Sequence, residues 1–136
     1  MKSTSKTNAS LPRPASPRQA LGRWGEQTAA EHAARLGYEV LARNARTPYG
    51  ELDLVLRRGE ELVIAEVKTR ASASLGAPEI SVTPRKQAHL LQSGQYFMDS
   101  RPELGSDWRV DVIAITLDPA SGQPEITWFE DAVHGE

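Results

Sequence analysis

The segment from Gly50 to Lys68 constrains the fold most, because it reads as two strands whose residues sort cleanly in only one pairing. The first run is Glu51-Leu52-Asp53-Leu54-Val55-Leu56 and the second is Leu62-Val63-Ile64-Ala65-Glu66-Val67-Lys68. Side chains alternate faces along a strand. A two-residue Gly59-Glu60 turn, with glycine first as a type II′ geometry prefers, sets the register. Val55 then faces Ile64, Asp53 faces Glu66, and Glu51 faces Lys68 on one side. On the other side Leu56 faces Val63, Leu54 faces Ala65, and Leu52 faces Val67. Apart from the Val55–Ile64 pair at the floor of the ionic side, this register separates ionic from apolar pairs, and a slip of one residue would destroy that sorting.

The same register sets two carboxylates, Asp53 and Glu66, opposite each other with Cβ atoms about 5 Å apart. Like charges so placed destabilise a sheet unless something neutralises them. A divalent cation does so, and an all-oxygen donor set favours Mg²⁺ or Mn²⁺ over zinc. Lys68, two residues from Glu66 on the same face, adds a fixed positive charge. Together these are the groups that phosphodiester hydrolysis needs: a cation to polarise the phosphoryl oxygen and activate water, and a lysine to stabilise developing charge. The rival reading is an exposed polar face carrying a cross-strand salt bridge, which antiparallel sheets commonly have. It does not account for two carboxylates face to face.

Around this hairpin the chain reads as a basic tail over residues 1–17 followed by one domain over 18–136. The tail is Ser, Thr, Lys, Pro and Ala with little to bury, the composition of a disordered segment. Ser16-Pro17 is a cap and first-turn proline for a helix to Leu36, with Gly37 as its stop. Leu21, Trp24, Thr28, His32 and Leu36 form its apolar stripe. Glu26 lies on this helix among Gly22, Ala29, Ala30 and Ala33, neighbours small enough to let a carboxylate approach a sheet. A strand over Tyr38 to Asn44 precedes the hairpin, and Ala71 to Ser81 reads as a loop. Thr83-Pro84 opens a second helix to about Ser100, followed by strands at Trp108 to Leu117 and Glu125 to Phe129. Helix, three strands, helix and two strands imply an α/β fold, a mixed sheet flanked by helices.

Charge excludes bulk electrostatic binding of a polyanion. The net charge is −2, yet residues 1–20 hold four bases and no acid, which leaves −6 for the remainder. Nucleic-acid binders that rely on overall charge are basic, so this chain must use local patches and metal ions. Cysteine is absent, which removes disulfides and thiolate metal sites. No apolar run approaches the ~20 residues of a membrane span, and the start of the chain has no apolar stretch after Lys2 and Lys6. A cytoplasmic protein without membrane contact is the expectation.

Other residues carry weaker signals. Arg70, Arg85 and Lys86 are candidates for phosphate contact, the last two at a helix N-terminus where anions are favoured, against the ordinary solvated role. Gln92 and Tyr96 are four apart on one helix face, with Tyr96 expected in the core. His32, His89 and His134 are too scattered for a zinc site, and Trp24, Trp108 and Trp128 are expected to pack. Arg109 and Asp111 share a strand face, where an ion pair and a functional role are both open.

Five segments in order carry a resemblance: Gly22-Arg23-Trp24-Gly25-Glu26, Gly50-Glu51-Leu52-Asp53-Leu54, Glu66-Val67-Lys68-Thr69-Arg70, Val82 to Lys86, and Trp108-Arg109-Val110-Asp111-Val112. They resemble the PD-(D/E)xK nuclease superfamily and, more closely, the YraN-like family, over about residues 18–115. Leu52 stands where the superfamily's name has proline. The resemblance implies a restriction-endonuclease-like sheet similar to that of archaeal Holliday junction resolvases. It implies Glu26, Asp53, Glu66 and Lys68 as catalytic residues, with Asp53, Glu66 and Val67 holding Mg²⁺ or Mn²⁺. The implied activity is metal-dependent cleavage of nucleic acid, DNA in the first instance and branched or structured DNA in particular. Related resolvases act as dimers, and a homodimer suits a two-fold branched substrate. The alternative is a catalytically silent module of the same fold that binds nucleic acid or protein, or an accessory subunit.

Overall fold

A computed structural model of the chain describes residues 16–71 and 82–134. The loop expected over Ala71 to Ser81 lies outside the described residues apart from Ala71, and so does the tail apart from Ser16 and Pro17. Helix α1 (Pro17–Arg35) begins where its capping chemistry requires. The Ser16 hydroxyl accepts from the Gln19 N–H, and the Gln19 side chain accepts from the Ser16 N–H. This reciprocal box contributes about 1 kcal/mol. Strands β1 (Glu39–Thr47), β2 (Gly50–Arg58) and β3 (Glu61–Arg70) follow as an antiparallel meander. Helix α2 (Pro84–Ser100), capped by the Thr83 hydroxyl, crosses over to β4 (Trp108–Leu117), which pairs parallel with β3. Strand β5 (Pro124–Val133) closes the sheet antiparallel to β4, giving the order β1-β2-β3-β4-β5. A five-stranded mixed sheet with one helix on each face is the α/β arrangement expected of a restriction-endonuclease-like domain. No helix among the described residues is long and apolar enough to cross a membrane.

The hairpin register is the one the sequence dictates over five rungs, from Arg58↔Glu61 through Val55↔Ile64 to Leu54↔Ala65. Gly59 takes the positive φ (+62°) and Glu60 does not, as a II′ turn needs. Alternation then builds two apolar layers. Leu54, Leu56, Val63, Ala65, Ile113 and Ile115 pack under α1, while Val55, Leu62, Ile64 and Val110 pack under α2 with Leu90 and Met98.

Two apolar assignments differ from expectation. Leu52 joins the α2 layer rather than that of Leu54 and Leu56. The cause lies opposite Asp53. Asn44 has φ +51°, and β1 and β2 pair at Arg43↔Leu54 and Ala45↔Leu52 without a rung between. Both strands turn over there, so residues on either side no longer alternate. In α1 the expected stripe is only partly buried, and Leu36 is 47% exposed. The buried face is Gly25, Thr28, Ala29, Ala30 and Ala33. Large aliphatics already cover the sheet, so the helix that lies closest to it presents small residues.

Strand β5 runs four residues beyond the expected Phe129. Its register shifts between Val110 and Val112, where the buried Asp111 carboxylate takes the place of a ladder carbonyl and accepts the Asp131 N–H at 2.8 Å. Asp131 itself has φ +51°. Asp111 also accepts from Trp128 Nε1 at 2.7 Å and from Arg109 Nε at 3.0 Å. Of the two roles open for Arg109 and Asp111, this network supplies the structural one.

Candidate functional site

The site is built at a fork in the sheet. The β2–β3 ladder stops at Leu54↔Ala65, whereas β3 continues beside β4 to Arg70↔Thr116. Just past the last rung, Asp53 Oδ2 accepts the Val67 N–H at 2.8 Å. A side-chain carboxylate thus replaces the missing strand partner, and the two strands are held together and apart at one point. The expected rungs Asp53–Glu66, Glu51–Lys68 and Leu52–Val67 are not ladder pairs. Glu51 pairs instead with Arg46 across β1, at 3.7 Å.

The two carboxylates nevertheless meet. Glu66 is only 6% exposed and shares a hydrogen bond with Asp53. Burial pushes the Asp53 carboxyl up to about 7, and the Glu66 charge adds to that rise. The Val67 N–H acts in the opposite direction, while the Glu26 charge and the hydrogen bond with Glu66 raise it further. A group with such a shift in a cluster of like charges is partly protonated near neutral pH, and an arriving cation displaces that proton.

Glu26 reaches the fork because α1 can touch β3. A Cβ on Gly25 would overlap the Thr69 side chain. Asn44 Nδ2 donates to Glu26 Oε1 at 3.1 Å, so the residue that kinks β1 also orients the helical carboxylate. We expect Gly25→Ala to destabilise the domain by about 1–3 kcal/mol in urea denaturation, as overpacking does. It should also displace Glu26 from the fork in the residual folded protein, because α1 must lift from Thr69.

Of the expected cations, Lys86 comes into the acidic cluster. Its Nζ lies 3.1 Å from Glu66 Oε2, a contact made from the first turn of α2. Lys68 is half-buried on β3 and makes no ion pair among the described residues. Arg85 is exposed, and Arg70 Nε donates to Thr116 Oγ1 at 2.9 Å. Glu26, Asp53, Glu66, Val67 and Lys86 are therefore brought together, and Lys68 follows two residues along the same strand.

Asn44 escaped the sequence reading, which treated it as the end of a strand. Asparagine within a strand-like run is a signal in itself, since it is disfavoured there and tolerates the left-handed backbone. Tyr96 was expected in the core and is 46% exposed, meeting Tyr49 edge-on at 6.4 Å between ring centroids. Trp24, Trp108 and Trp128 pack against the apolar layers as expected.

Fold and site together define an α/β domain of the PD-(D/E)xK type, with two carboxylates and a lysine at a strand fork. The model of the uncharacterised protein family UPF0102 matches residues 25–115, and the chain belongs to this family, the YraN-like group. A UPF0102 protein of Syntrophomonas wolfei is 42% identical over 98 residues, spanning 72% of this chain and 85% of that protein. One of Herpetosiphon aurantiacus is 43% identical over 118 residues, covering 83% and 93%. One of Acidothermus cellulolyticus reaches 56% over 78 residues, covering 57% and 59%.

Proposed function

We propose that the domain hydrolyses phosphodiester bonds in nucleic acid, DNA in the first instance, with Mg²⁺ or Mn²⁺ at the fork. The observation that carries the reading is the crowding of Asp53 and Glu66, which drives the Asp53 carboxyl to about 7. Charge of that kind is relieved by a hard cation. Mg²⁺ is usually bound by one or two carboxylates and keeps several waters. Asp53 and Glu66 supply the carboxylates, and Val67, tied to Asp53 by its N–H, offers its main-chain carbonyl. When bound, the cation would polarise the phosphoryl oxygen and lower the pKa of water. Glu26, fixed by Asn44, orients water, and Lys68 stabilises charge on the phosphoryl group. Lys86, released from Glu66, faces the incoming phosphate with Arg70 and Arg85 further out.

Two observations favour a silent binding module instead. Among the described residues no group of three or more His, Cys, Asp or Glu is gathered tightly enough to hold a metal, and Lys86 already neutralises Glu66.

A cleavage assay separates the two readings. Linear, single-stranded, flapped and four-way-junction DNA are incubated with Mg²⁺ or Mn²⁺ and either wild type or Asp53→Ala. Cleavage by wild type alone is the expected result, and the preferred substrate identifies the DNA form recognised. Stoichiometric binding with no turnover on any substrate contradicts hydrolysis and supports the module.

A further inference from the structure

We infer that the cleft between the β1–β2 turn and α2 is a binding site for one unpaired nucleobase, next to the phosphate cut at the fork. The inference rests on the hydrolytic reading above and names its substrate class. Tyr49 and Tyr96 are each 46% exposed, and with Leu36 they are the exposed large apolar side chains among the described residues. Isolated exposed apolar residues are ordinary, but these two rings meet edge-on at 6.4 Å and line one cleft of about 210 Å³. Gln92, Gln95 and Asp99 complete its wall. Gln95 is engaged with Asp99 at 2.8 Å, whereas the Gln92 amide makes no hydrogen bond among the described residues. An aromatic wall with an amide carrying both donor and acceptor matches a nucleobase, which presents a π-face and a hydrogen-bonding edge.

The cleft is preorganised. The Thr47 hydroxyl donates to the Gly50 carbonyl at 2.7 Å, accepts from the Tyr49 N–H at 3.1 Å, and bonds the buried Ser93 hydroxyl of α2 at 3.0 Å. The turn carrying Tyr49 is therefore pinned to the helix carrying Tyr96. The cleft also leads to the fork. A second hollow of about 80 Å³ shares Tyr49 and is lined by Glu51, Lys86 and His89, and Lys86 Nζ touches Glu66 at 3.1 Å. A strand with its phosphate at Glu66 can run past Lys86 and place a neighbouring base in the cleft against the Tyr96 ring, whose edge-on contact with Tyr49 holds it in place. A fully paired duplex cannot fill this cleft without losing a base from its stack.

The test uses the full chain with Ca²⁺ in place of Mg²⁺. It is titrated onto duplexes carrying a single unpaired 2-aminopurine, as DNA and as RNA, and onto fully paired controls. Wild type should bind the unpaired-base duplex more tightly and quench its fluorescence, and the arm showing this identifies the sugar. Tyr96→Ala should lose the preference, weakening binding by roughly five- to hundred-fold, the range of one base–aromatic stack, and should abolish quenching. Tyr96→Phe should keep both. Equal binding of paired and unpaired duplexes by wild type, or unchanged quenching in Tyr96→Ala, overturns the cleft assignment. Exchange into Mg²⁺ separates the two claims. If Tyr96→Ala and wild type cut every substrate alike, the cleft falls and hydrolysis stands. If wild type quenches but never cuts, hydrolysis falls and the cleft stands.

Discussion

Asp53→Asn is expected to abolish metal-dependent cleavage, by at least about 10²–10³-fold, and at the same time to stabilise the metal-free domain at pH 8. Asparagine keeps an oxygen for the Val67 N–H, so the strand fork survives. What it removes is the buried charge. The Asp53 carboxyl rises from 3.8 to about 7, chiefly through burial and then through Glu66. A carboxyl whose folded value lies above its unfolded value binds protons more readily in the native state. Its contribution to stability is complete below pH 4 and is lost as pH rises through 7. Wild type without metal should therefore be less stable at pH 8 than at pH 5, by on the order of 2–4 kcal/mol from this group. Asp53→Asn should flatten that dependence and be the more stable protein at pH 8. Urea denaturation at the two pH values measures both effects. A variant less stable than wild type at pH 8 would show that Asp53 serves the fold rather than the chemistry.

Asp111→Ala should act in the opposite sense, with the largest loss of stability of any carboxylate substitution in the domain. Asp111 is fully buried and accepts from Arg109, Trp128 Nε1 and the Asp131 N–H. Removing it leaves an indole N–H and a main-chain N–H without their acceptor, strips the Arg109 guanidinium of its buried partner while Tyr38 and Glu61 remain, and frees the bulge that aligns the end of β5. Breaking a buried pair by deleting one partner costs about 3–5 kcal/mol. Trp128 stacks on Tyr38 at 5.4 Å, and Arg58 lies over that ring at 4.4 Å, so thermal unfolding should also show a broadened aromatic transition. Cleavage per folded molecule should be unchanged, because Asp111, although it lies opposite Ala65 at the last rung before the fork, bonds Arg109, Trp128 and Asp131 rather than Asp53 or Glu66. A variant that remains stable but is inactive would move Asp111 into the site.

The sequence revealed the hairpin because its apolar residues tolerate only one register, and both helix starts because Ser16-Pro17 and Thr83-Pro84 are local signals. The carboxylates were legible for the same reason as the hairpin. What was not legible depended on tertiary geometry. No local rule says that the ladder ends at Leu54, since that follows from β3 leaving β2 for β4. The turned-over face at Leu52 depends on Asn44, whose left-handed backbone appears only once β1 is paired. Lys86 could be placed at a helix N-terminus but not against Glu66, because that contact depends on how α2 packs on the sheet. The stripe of α1 misled because large residues usually mark a buried face, whereas here close approach favours alanine and glycine.

Whether Asp53 and Glu66 form a divalent-cation site is read by calorimetric titration of the metal-free protein with Mn²⁺ at pH 7 in two buffers of different ionisation enthalpy. One Mn²⁺ per chain should bind with release of a substantial fraction of a proton, since the Asp53 carboxyl is partly protonated at pH 7 and must lose that proton to the metal. Asp53→Asn should bind far more weakly and release none. Binding of equal strength by wild type and Asp53→Asn, or no binding by either folded protein, would contradict such a site.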